Sequence, residues 1–380
     1  MTRTPDSIDA SIGPHSFATG EDGLVRVLDF DGNPLADATV PDLTDEELVG
    51  IYRDMRTARR FDERAISLQR QGRIGTYASL AGQEGSQVGS TYALAEEDWL
   101  FYQYREHGVL FAREFPPEHL AYWMGYESGN AALADANVFP LNIGVGAHIP
   151  HAVGWAMGAD YRGDDGLAVA HFGDGSTSEG DFHEALNFAG VFDAPAVFVC
   201  HNNGWAISIP TEEQTAAESF AAKAEAYGFE GIRVDGMDPL ASYAVTKAAA
   251  DLARDPPEGR LRPTLIETVE YRYGAHTTAD DPSVYRDSAA VEQWRERDPI
   301  DRLEAFLLDT GRLDEEAIDA IEQAADDQVA EIIDVAESEK PDPEQMFADA
   351  YADAPSEIDR QREELIDAID RHGKDAFERE

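Results

Sequence analysis

Short apolar runs alternate with helical patterns through the middle of the chain. Four of these runs are bounded by Gly or Pro: 167–173 (LAVAHFG), 195–203 (PAVFVCHNN), 231–236 (GIRVDG) and 263–271 (PTLIETVEY). Short continuous apolar runs are typical of parallel strands that are buried on both faces. Stretches such as 149–161 (IPHAVGWAMGADY) show helical spacing. The alternation predicts an α/β fold: a doubly wound, mostly parallel sheet with helices on both faces.

Different patterns flank this region. Residues 1–40 are rich in Gly, Pro and Asp and predict a loosely structured N-terminal extension. Thr44 and Glu47 form a capping box, and an α/β domain is predicted from there over 41–298. Helical spacing amid many acids predicts that 299–380 form a helical C-terminal region packed on the core. The apolar positions of the first helix are Leu48, Ile51, Met55, Ala58 and Phe61.

The charge of the chain narrows the classes of function. The 380 residues include 76 Asp and Glu against 30 Lys and Arg, a formal net charge of −46. Such a surface repels nucleic-acid phosphates and anionic lipids, so neither nucleic acid nor membrane is expected as a partner. Strong salt, with a Debye length of roughly 3 Å at 1 M, would screen the self-repulsion. We hypothesise a halophilic protein; the alternative is an unusually acidic mesophile.

The chain has one cysteine, Cys200, so it can form no intrachain disulfide and no cysteine metal cluster. Its first residues have no apolar stretch behind Arg3, and no run of about 18 apolar residues occurs. Secretion and membrane spanning are not predicted, and we expect a cytoplasmic protein.

Candidate chemistry follows two of the predicted strands. Asp174 lies between Gly173 and Gly175 after the first strand, and Asn203 follows the second and precedes Trp205. If the two strands are neighbours, a carboxylate, an amide oxygen and the Trp205 carbonyl can converge on Mg²⁺, with diphosphate oxygens and water completing its coordination. Gly-Asp-Gly alone is a common turn. The asparagine pair after a strand favours the metal and phosphate site.

At these residues the sequence resembles a known family. The stretch 173–210, from GDGSTSEG to NNGWAISIP, is similar to the thiamine-diphosphate motif of 2-oxo acid dehydrogenase alpha subunits. The resemblance implies thiamine diphosphate and Mg²⁺ as cofactors, with Asp174, Asn203 and the Trp205 carbonyl as metal ligands. It also implies that the cofactor contacts Gly173, Gly175 and Ser176.

Two positions depart from the family pattern. Trp205 stands where the family usually has Tyr, which a backbone ligand tolerates. His201 stands where branched-chain enzymes carry an Arg. The diphosphate contact that this arginine makes in the branched-chain enzymes is therefore not expected from His201.

Upstream, Gln103, Tyr104 and Arg105 resemble the family's diphosphate-binding Tyr-Arg motif. The planar fork of Arg105 suits such an anion. The alternative is that Arg105 is paired structurally with Glu106 or another acid.

The segment 142–148 (NIGVGAH) resembles the loop that supports the aminopyrimidine, with Val145 under the ring. A Gly-Val-Gly sequence could also indicate a dinucleotide loop. That loop needs a third Gly where Ile149 stands.

The segment 271–281, followed by Tyr285 and Arg286, resembles the family's active-site loop, which makes His276 the catalytic histidine. In the family this imidazole lies near the thiazolium and diphosphate and assists acyl transfer, a role that suits a group titrating near neutrality. The alternative is an ordinary surface histidine. Thr277 stands where animal relatives carry a regulatory Ser, so regulation by phosphorylation is not implied.

The resemblance implies the alpha subunit of a pyruvate dehydrogenase, which oxidatively decarboxylates a 2-oxo acid. Its implied partners are a beta subunit, in a two-alpha, two-beta assembly, and the lipoyl domain of a dihydrolipoyl acyltransferase. The runs 79–90, 234–243 and 263–274 resemble bacterial pyruvate dehydrogenases, whereas 202–208 favours the branched-chain enzymes. Two other classes remain as alternatives: a non-catalytic assembly scaffold, and a magnesium-dependent phosphotransfer enzyme. The second alternative is disfavoured because the chain has no Gly-rich loop ending in Lys-Ser or Lys-Thr.

Overall fold

The computed structural model describes residues 10–338, 345–348, 351–373 and 376. Its strands are β1 (Ser11–Ile12), β2 (His15–Ser16), β3 (Trp99–Phe101), β4 (Ala168–Gly173), β5 (Ala196–Asn202), β6 (Trp205–Ala206), β7 (Ile209–Pro210), β8 (Glu230–Asp235) and β9 (Thr264–Val269). Its α-helices are α1 (Asp45–Arg70), α2 (Glu84–Tyr92), α3 (Leu120–Trp123), α4 (His148–Arg162), α5 (Gly180–Phe192), α6 (Thr211–Gln214), α7 (Pro239–Arg254), α8 (Ser288–Arg295), α9 (Pro299–Asp309), α10 (Glu315–Ser338), α11 (Gln345–Ala348) and α12 (Ser356–His372). Short 3₁₀ segments cover His107–Arg113, Pro117–His119, Glu127–Ala136, Asp174–Ser178, Ala221–Tyr227 and Pro282–Val284.

Five strands form one parallel sheet in the order β3-β4-β5-β9-β8. The four predicted strands are β4, β5, β8 and β9, while the three-residue β3 was too short for the apolar pattern to predict. β4 and β5 are neighbours, and Gly173 at the end of β4 pairs with His201 near the end of β5. The turns that follow these two strands therefore begin side by side.

Both faces of the sheet are covered by helices. Val197 and Val199 of β5 belong to one buried cluster with residues of α1 and α7. Phe198 and Cys200, the alternate residues, belong to a second cluster with residues of α4 and α5. Successive side chains of a strand point to opposite faces. The predicted α/β fold with a parallel sheet between two helical layers is confirmed.

The N-terminal segment differs from its prediction. Residues 24–28 are buried, and Val25 forms a parallel bridge with Val234 of the edge strand β8. The predicted loose extension is therefore wrong for residues 24–28, while most of residues 29–40 are irregular and at least partly exposed. Residues 1–9 lie outside the described residues. The glycines and prolines of this segment mark turns, but the run LVRVL between them carries enough apolar surface to pack on the sheet edge.

A buried carboxylate fixes this segment to the core. Asp238, the N-cap of α7, accepts hydrogen bonds from the backbone N–H groups of Leu240 and Ala241, each at 3.1 Å. Its second oxygen accepts from the N–H groups of Val27 and Leu28, each at 2.7 Å. One side chain thus caps a helix and holds the N-terminal segment.

The C-terminal helices return to the same region. Arg302 of α9 is fully buried, and its Nη1 donates to Asp235 Oδ2 at 2.9 Å. Val329 and Ile332 of α10 are buried in the cluster that includes α1. The part of the C-terminal region that the structure describes is helical, and α9 and α10 pack on the core.

The predicted capping box starts α1. Thr44 Oγ1 accepts from Glu47 N at 3.2 Å, and Glu47 Oε2 accepts from Thr44 N at 2.7 Å. Cys200 is buried in β5 and carries a free thiol. Within the described ranges, no helix combines the length and the apolar character needed to cross a membrane.

Asp238→Ala tests the N-terminal anchor. The change leaves four backbone donors without their acceptor in a buried site, so we expect the free energy of unfolding to fall by at least about 3 kcal/mol. Urea unfolding in molar salt measures it. The matched control is Asp287→Ala, which removes the exposed N-cap of α8 and should cost about 1 kcal/mol. Equal losses in the two variants would contradict the anchoring role.

Candidate active site

A cavity of about 360 Å³ opens at the carboxyl ends of the sheet strands. This is the edge where open parallel sheets bind ligands, and the volume is in the range of small-molecule sites. A larger cavity of about 570 Å³ lies between the N-terminal segment and α7 and contains none of the predicted site residues. All the predicted residues line the smaller cavity: Gln103, Tyr104, Arg105, Val145, Gly173, Asp174, Gly175, Ser176, Asn203, Trp205 and His276.

Asp174 begins the short turn that follows β4. Its side chain is buried, and Gln214 Nε2 of α6 donates to its Oδ2 at 2.8 Å. Burial raises the pKa of Asp174 to about 6. Burial makes the ionised form of this carboxyl group unfavourable, and a cation that binds beside the group would stabilise that form. Sequence reasoning missed Gln214, because nothing in its neighbourhood marks it.

Lys223 hydrogen-bonds to the same turn. Its Nζ donates to Thr177 O at 3.2 Å and to Thr177 Oγ1 at 2.9 Å. The ammonium group lies 5.5 Å from the ring centroid of Phe182 and 5.1 Å from that of Phe220. Burial lowers the pKa of Lys223. A half-buried lysine thus fixes the backbone that presents Asp174.

Asn203 is oriented at both ends of its amide. Its Nδ2 donates to Gln83 Oε1 at 2.8 Å, and its Oδ1 accepts from Trp205 N at 3.2 Å. Gly204 between them has φ of +86°, a conformation that glycine adopts without strain. Asn203 Oδ1 retains a lone pair for a ligand in the cavity.

Arg105 and His276 are joined directly. Arg105 Nη1 donates to Ser79 O at 2.6 Å, and its Nη2 donates to His276 O at 2.6 Å and lies 3.0 Å from His276 Nδ1. The ion pairs among the described residues do not include one between Arg105 and Glu106. Arg105 therefore points to the loop that carries His276 rather than to its neighbouring acid.

The environment of His276 keeps its imidazole neutral. Burial, together with the positive charges of Arg105 and Arg272, lowers the pKa of His276 to about 4. Asp280 Oδ2 accepts from His276 N at 2.7 Å and fixes the loop backbone. At neutral pH the ring can therefore accept a proton or a hydrogen bond.

Gln103 supports a loop of the cavity wall. Its Nε2 donates to Asn142 O at 2.8 Å and to Gly144 O at 3.1 Å, while its Oε1 accepts from Gly146 N at 3.1 Å. Val145 at the centre of this loop is 41% exposed and faces the cavity. The amide of Gln103 is thus engaged with the backbone of residues 142–146, which the sequence did not reveal.

His201 belongs to a buried polar cluster with His171 and Glu270. His201 does not line the cavity: its Nδ1 is 3.1 Å from Glu270 Oε1 and its Nε2 is 3.1 Å from His171 Nδ1. Burial opposes a charge on His201, but the neighbouring acids Glu270, Glu106 and Asp174 together raise the pKa of His201. Glu106 lines the cavity, and burial raises its pKa to about 7. His201 thus replaces the expected arginine without reaching the ligand side, and Glu106 is a cavity residue that sequence reasoning missed.

A second cavity of about 520 Å³ adjoins the first. Among the described residues, both cavities are lined by Tyr104, Val145, Ile207 and His276. The walls that belong to the second cavity alone include Tyr122, Trp123 and Ile143. A polar compartment and a largely apolar one thus meet beside His276.

The fold and the two cavities define an α/β protein with a polar ligand site at the carboxyl edge of a parallel sheet. Residues 52–344 match the family of the dehydrogenase E1 component. The 3-methyl-2-oxobutanoate dehydrogenase subunit alpha of Mycobacterium tuberculosis is 43% identical over 344 residues, covering 90% of this chain and 93% of that protein. The pyruvate dehydrogenase E1 component subunit alpha of Staphylococcus aureus is 43% identical over 343 residues, covering 90% and 92%.

The chain therefore belongs to the dehydrogenase E1 component family, as an alpha-type member. This family depends on thiamine diphosphate and fits the decarboxylation of a 2-oxo acid. The two relatives are equally similar and are named for different 2-oxo acids.

The neutral state of His276 can be tested by NMR titration of ¹³C-labelled histidine in the isolated chain. We expect an apparent pKa of about 4, and we expect Arg105→Gln to move it toward the ordinary value of about 6.5, because a nearby positive charge is removed. His276→Gln assigns the resonance. Titration near 6.5 in both proteins would show that burial and the arginines do not act on the ring.

Proposed function

We propose that the chain is the alpha subunit of a pyruvate dehydrogenase that binds thiamine diphosphate through Mg²⁺ and acts only with a beta subunit. The observation that carries the proposal is the convergence of Asp174, Asn203, Arg105 and His276 on one cavity. These groups are far apart in sequence and combine cation ligands, an anion-binding fork and a neutral imidazole.

The residues present fit the cofactor. Asp174, the Asn203 amide and the Trp205 carbonyl form an all-oxygen donor set of the kind that Mg²⁺ prefers. The described residues hold no group of three or more His, Cys, Asp and Glu suited to a metal. A single buried acid fits a Mg²⁺ ion that also takes diphosphate oxygens and water as ligands. At Gly175 a Cβ atom would lie 3.0 Å from that of Ala206, so a side chain at this position would crowd the strand β6.

Bound thiamine diphosphate supplies the electron sink that makes loss of carbon dioxide from a 2-oxo acid feasible. In our proposal Tyr104 and Arg105 hold the diphosphate, and Val145 supports the aminopyrimidine. Gly173, Gly175 and Ser176 contribute the turn around the diphosphate. His276 accepts or holds a proton beside the reacting group during acyl transfer to a lipoyl domain of a dihydrolipoyl acyltransferase.

The mouth of the site supports the need for a second subunit. Ile143, Val145 and Ile207 are 56%, 41% and 58% exposed around the cavities. Grouped exposed apolar side chains are typical of a protein interface. We propose that the beta subunit covers this surface and supplies the acid that activates the cofactor, in a two-alpha, two-beta assembly.

Pyruvate is favoured by the runs 79–90, 234–243 and 263–274, which resemble bacterial pyruvate dehydrogenases. A branched-chain 2-oxo acid is the second candidate. It is favoured by the apolar 520 Å³ cavity beside His276, which has room for a larger side chain. A non-catalytic scaffold would have no need of the buried Asp174 or of the Arg105–His276 contact.

The function can be tested by co-expressing the chain with a beta subunit and purifying the assembly in molar salt. We expect turnover of pyruvate with an artificial electron acceptor to require both thiamine diphosphate and Mg²⁺, and Asp174→Ala to reduce it to background. The rate ratio between pyruvate and 3-methyl-2-oxobutanoate identifies the substrate.

The matched control is Asp165→Ala, at an exposed acid outside the cavity, which should keep full turnover. An assembled protein that binds no thiamine diphosphate would contradict the proposal and leave the scaffold as the better account.

We further propose that the protein works in strong salt, within the cytoplasm. The net charge of −46 supports a need for salt, because self-repulsion at low ionic strength opposes the compact state. The single cysteine, Cys200, is in keeping with the reducing cytoplasm. The expected result is a melting temperature that rises steeply between 0.1 M and 3 M KCl, measured by circular dichroism. A melting temperature that is independent of salt would indicate an acidic mesophile.

A further inference from the structure

The backbone is strained at the hairpin that follows the asparagine pair. β6 and β7 pair antiparallel, with Ala206 opposite Ile209, so Ile207 and Ser208 form a two-residue loop. Ile207 has φ of +57°. In such a loop a positive φ at the first position normally selects Gly, and a β-branched residue there is a strained outlier. The sequence nevertheless places a large apolar side chain at this position.

The strained backbone is held by a buried group. Arg272 is fully buried, and its Nη2 donates to Ile207 O at 2.8 Å and to Tyr285 OH at 2.9 Å. A charged hydrogen bond to the turn carbonyl offsets part of the strain and fixes the direction of the hairpin. Ile207 is thus held in place although its side chain is 58% exposed.

The position of Ile207 suggests why the strain is retained. Ile207 lines both the polar cavity around Asp174 and the apolar cavity. It shares that boundary with His276 and Val145. Its side chain therefore lies between the two cavities. A 2-oxo acid whose reacting end lies in the polar cavity would extend its alkyl group past Ile207 into the apolar cavity.

We propose that Ile207 is a specificity-determining residue whose side chain limits the room available to the alkyl group of the 2-oxo acid. This inference rests on the proposed function. Backbone strain at a functional site persists where the surrounding structure enforces it, and here Arg272 does so. An apolar side chain is the type that sorts alkyl groups by size.

Two substitutions distinguish the effect of the Ile207 side chain from the effect of its strained backbone. Ile207→Ala opens the boundary and keeps a Cβ atom in the strained conformation. Ile207→Gly opens it by one methyl group more and removes the strain, because glycine adopts positive φ freely. Ile209→Ala is the matched control: it trims a neighbouring exposed isoleucine of the same hairpin, which lines the polar cavity as Ile207 does but does not line the apolar cavity.

The assay compares kcat/KM for pyruvate, 2-oxobutanoate and 3-methyl-2-oxobutanoate in the assembled enzyme. Quenching of intrinsic fluorescence gives the dissociation constant of thiamine diphosphate independently of turnover. For both Ile207 variants we expect the preference for the larger acids over pyruvate to rise by about 10-fold or more, since one methylene is worth roughly 10- to 200-fold. We expect the dissociation constant of the cofactor to change by less than about 3-fold, a shift too small to account for a tenfold change in preference.

Substrate preferences that match those of Ile209→Ala would overturn the inference. A change in Ile207→Gly alone would overturn it as well, because the effect would then belong to the backbone. If the parent assembly binds thiamine diphosphate and turns over 2-oxo acids while the preferences stay fixed, the inference fails and the proposed function stands. If the parent shows neither binding nor turnover, the proposed function itself is wrong.

Discussion

The parallel pairing of β4 with β5 is the constraint on which the site depends. Because Gly173 is in register with His201, the turn that begins at Asp174 and the turn that contains Asn203 leave the sheet together. A slip of one residue would reverse the faces of every side chain in the strand. The strand interiors prevent such a slip, since Val197 and Val199 pack against one helical layer and Phe198 and Cys200 against the other. Sheet packing thus sets the positions of the proposed metal ligands before any ligand binds.

Support for each functional group comes from elements that are remote in sequence. Lys223 holds the Asp174 turn, Gln83 orients Asn203, and Gln103 fixes the loop of Val145. Each of these side chains hydrogen-bonds to backbone or amide groups of the protein rather than to the ligand. Such preorganisation matters because a site that must become ordered on binding has a lower affinity for its ligand, since ordering its side chains and loops costs free energy. The polar end of the cavity is therefore held by hydrogen bonds from remote elements, while apolar side chains at its mouth are exposed.

The sequence predicted the parts of the molecule that depend on local pattern. The four longer strands are continuous apolar runs, and the residues carried over by family resemblance all line one cavity. The buried N-terminal segment was not predicted, because its packing depends on Asp238, more than 200 residues away. Gln214, Lys223 and Glu106 were missed for the same reason: their roles come from partners that only the fold brings near. The strain at Ile207 is likewise invisible in sequence, since isoleucine gives no sign of positive φ.

The two arginines beside His276 are opposite in charge to the protein as a whole. The chain carries a net charge of −46, yet Arg105 and Arg272 are buried beside His276 and lower its pKa. In strong salt the Debye length of roughly 3 Å screens surface acids from a distant anion, whereas buried charges in contact with a ligand are screened much less. A diphosphate in the cavity would therefore experience Arg105, Asp174 and Glu106, which line the cavity, more than the acidic exterior. Its negative charge would in turn favour protonation of His276, so the proton affinity of that imidazole would depend on whether the cofactor site is filled.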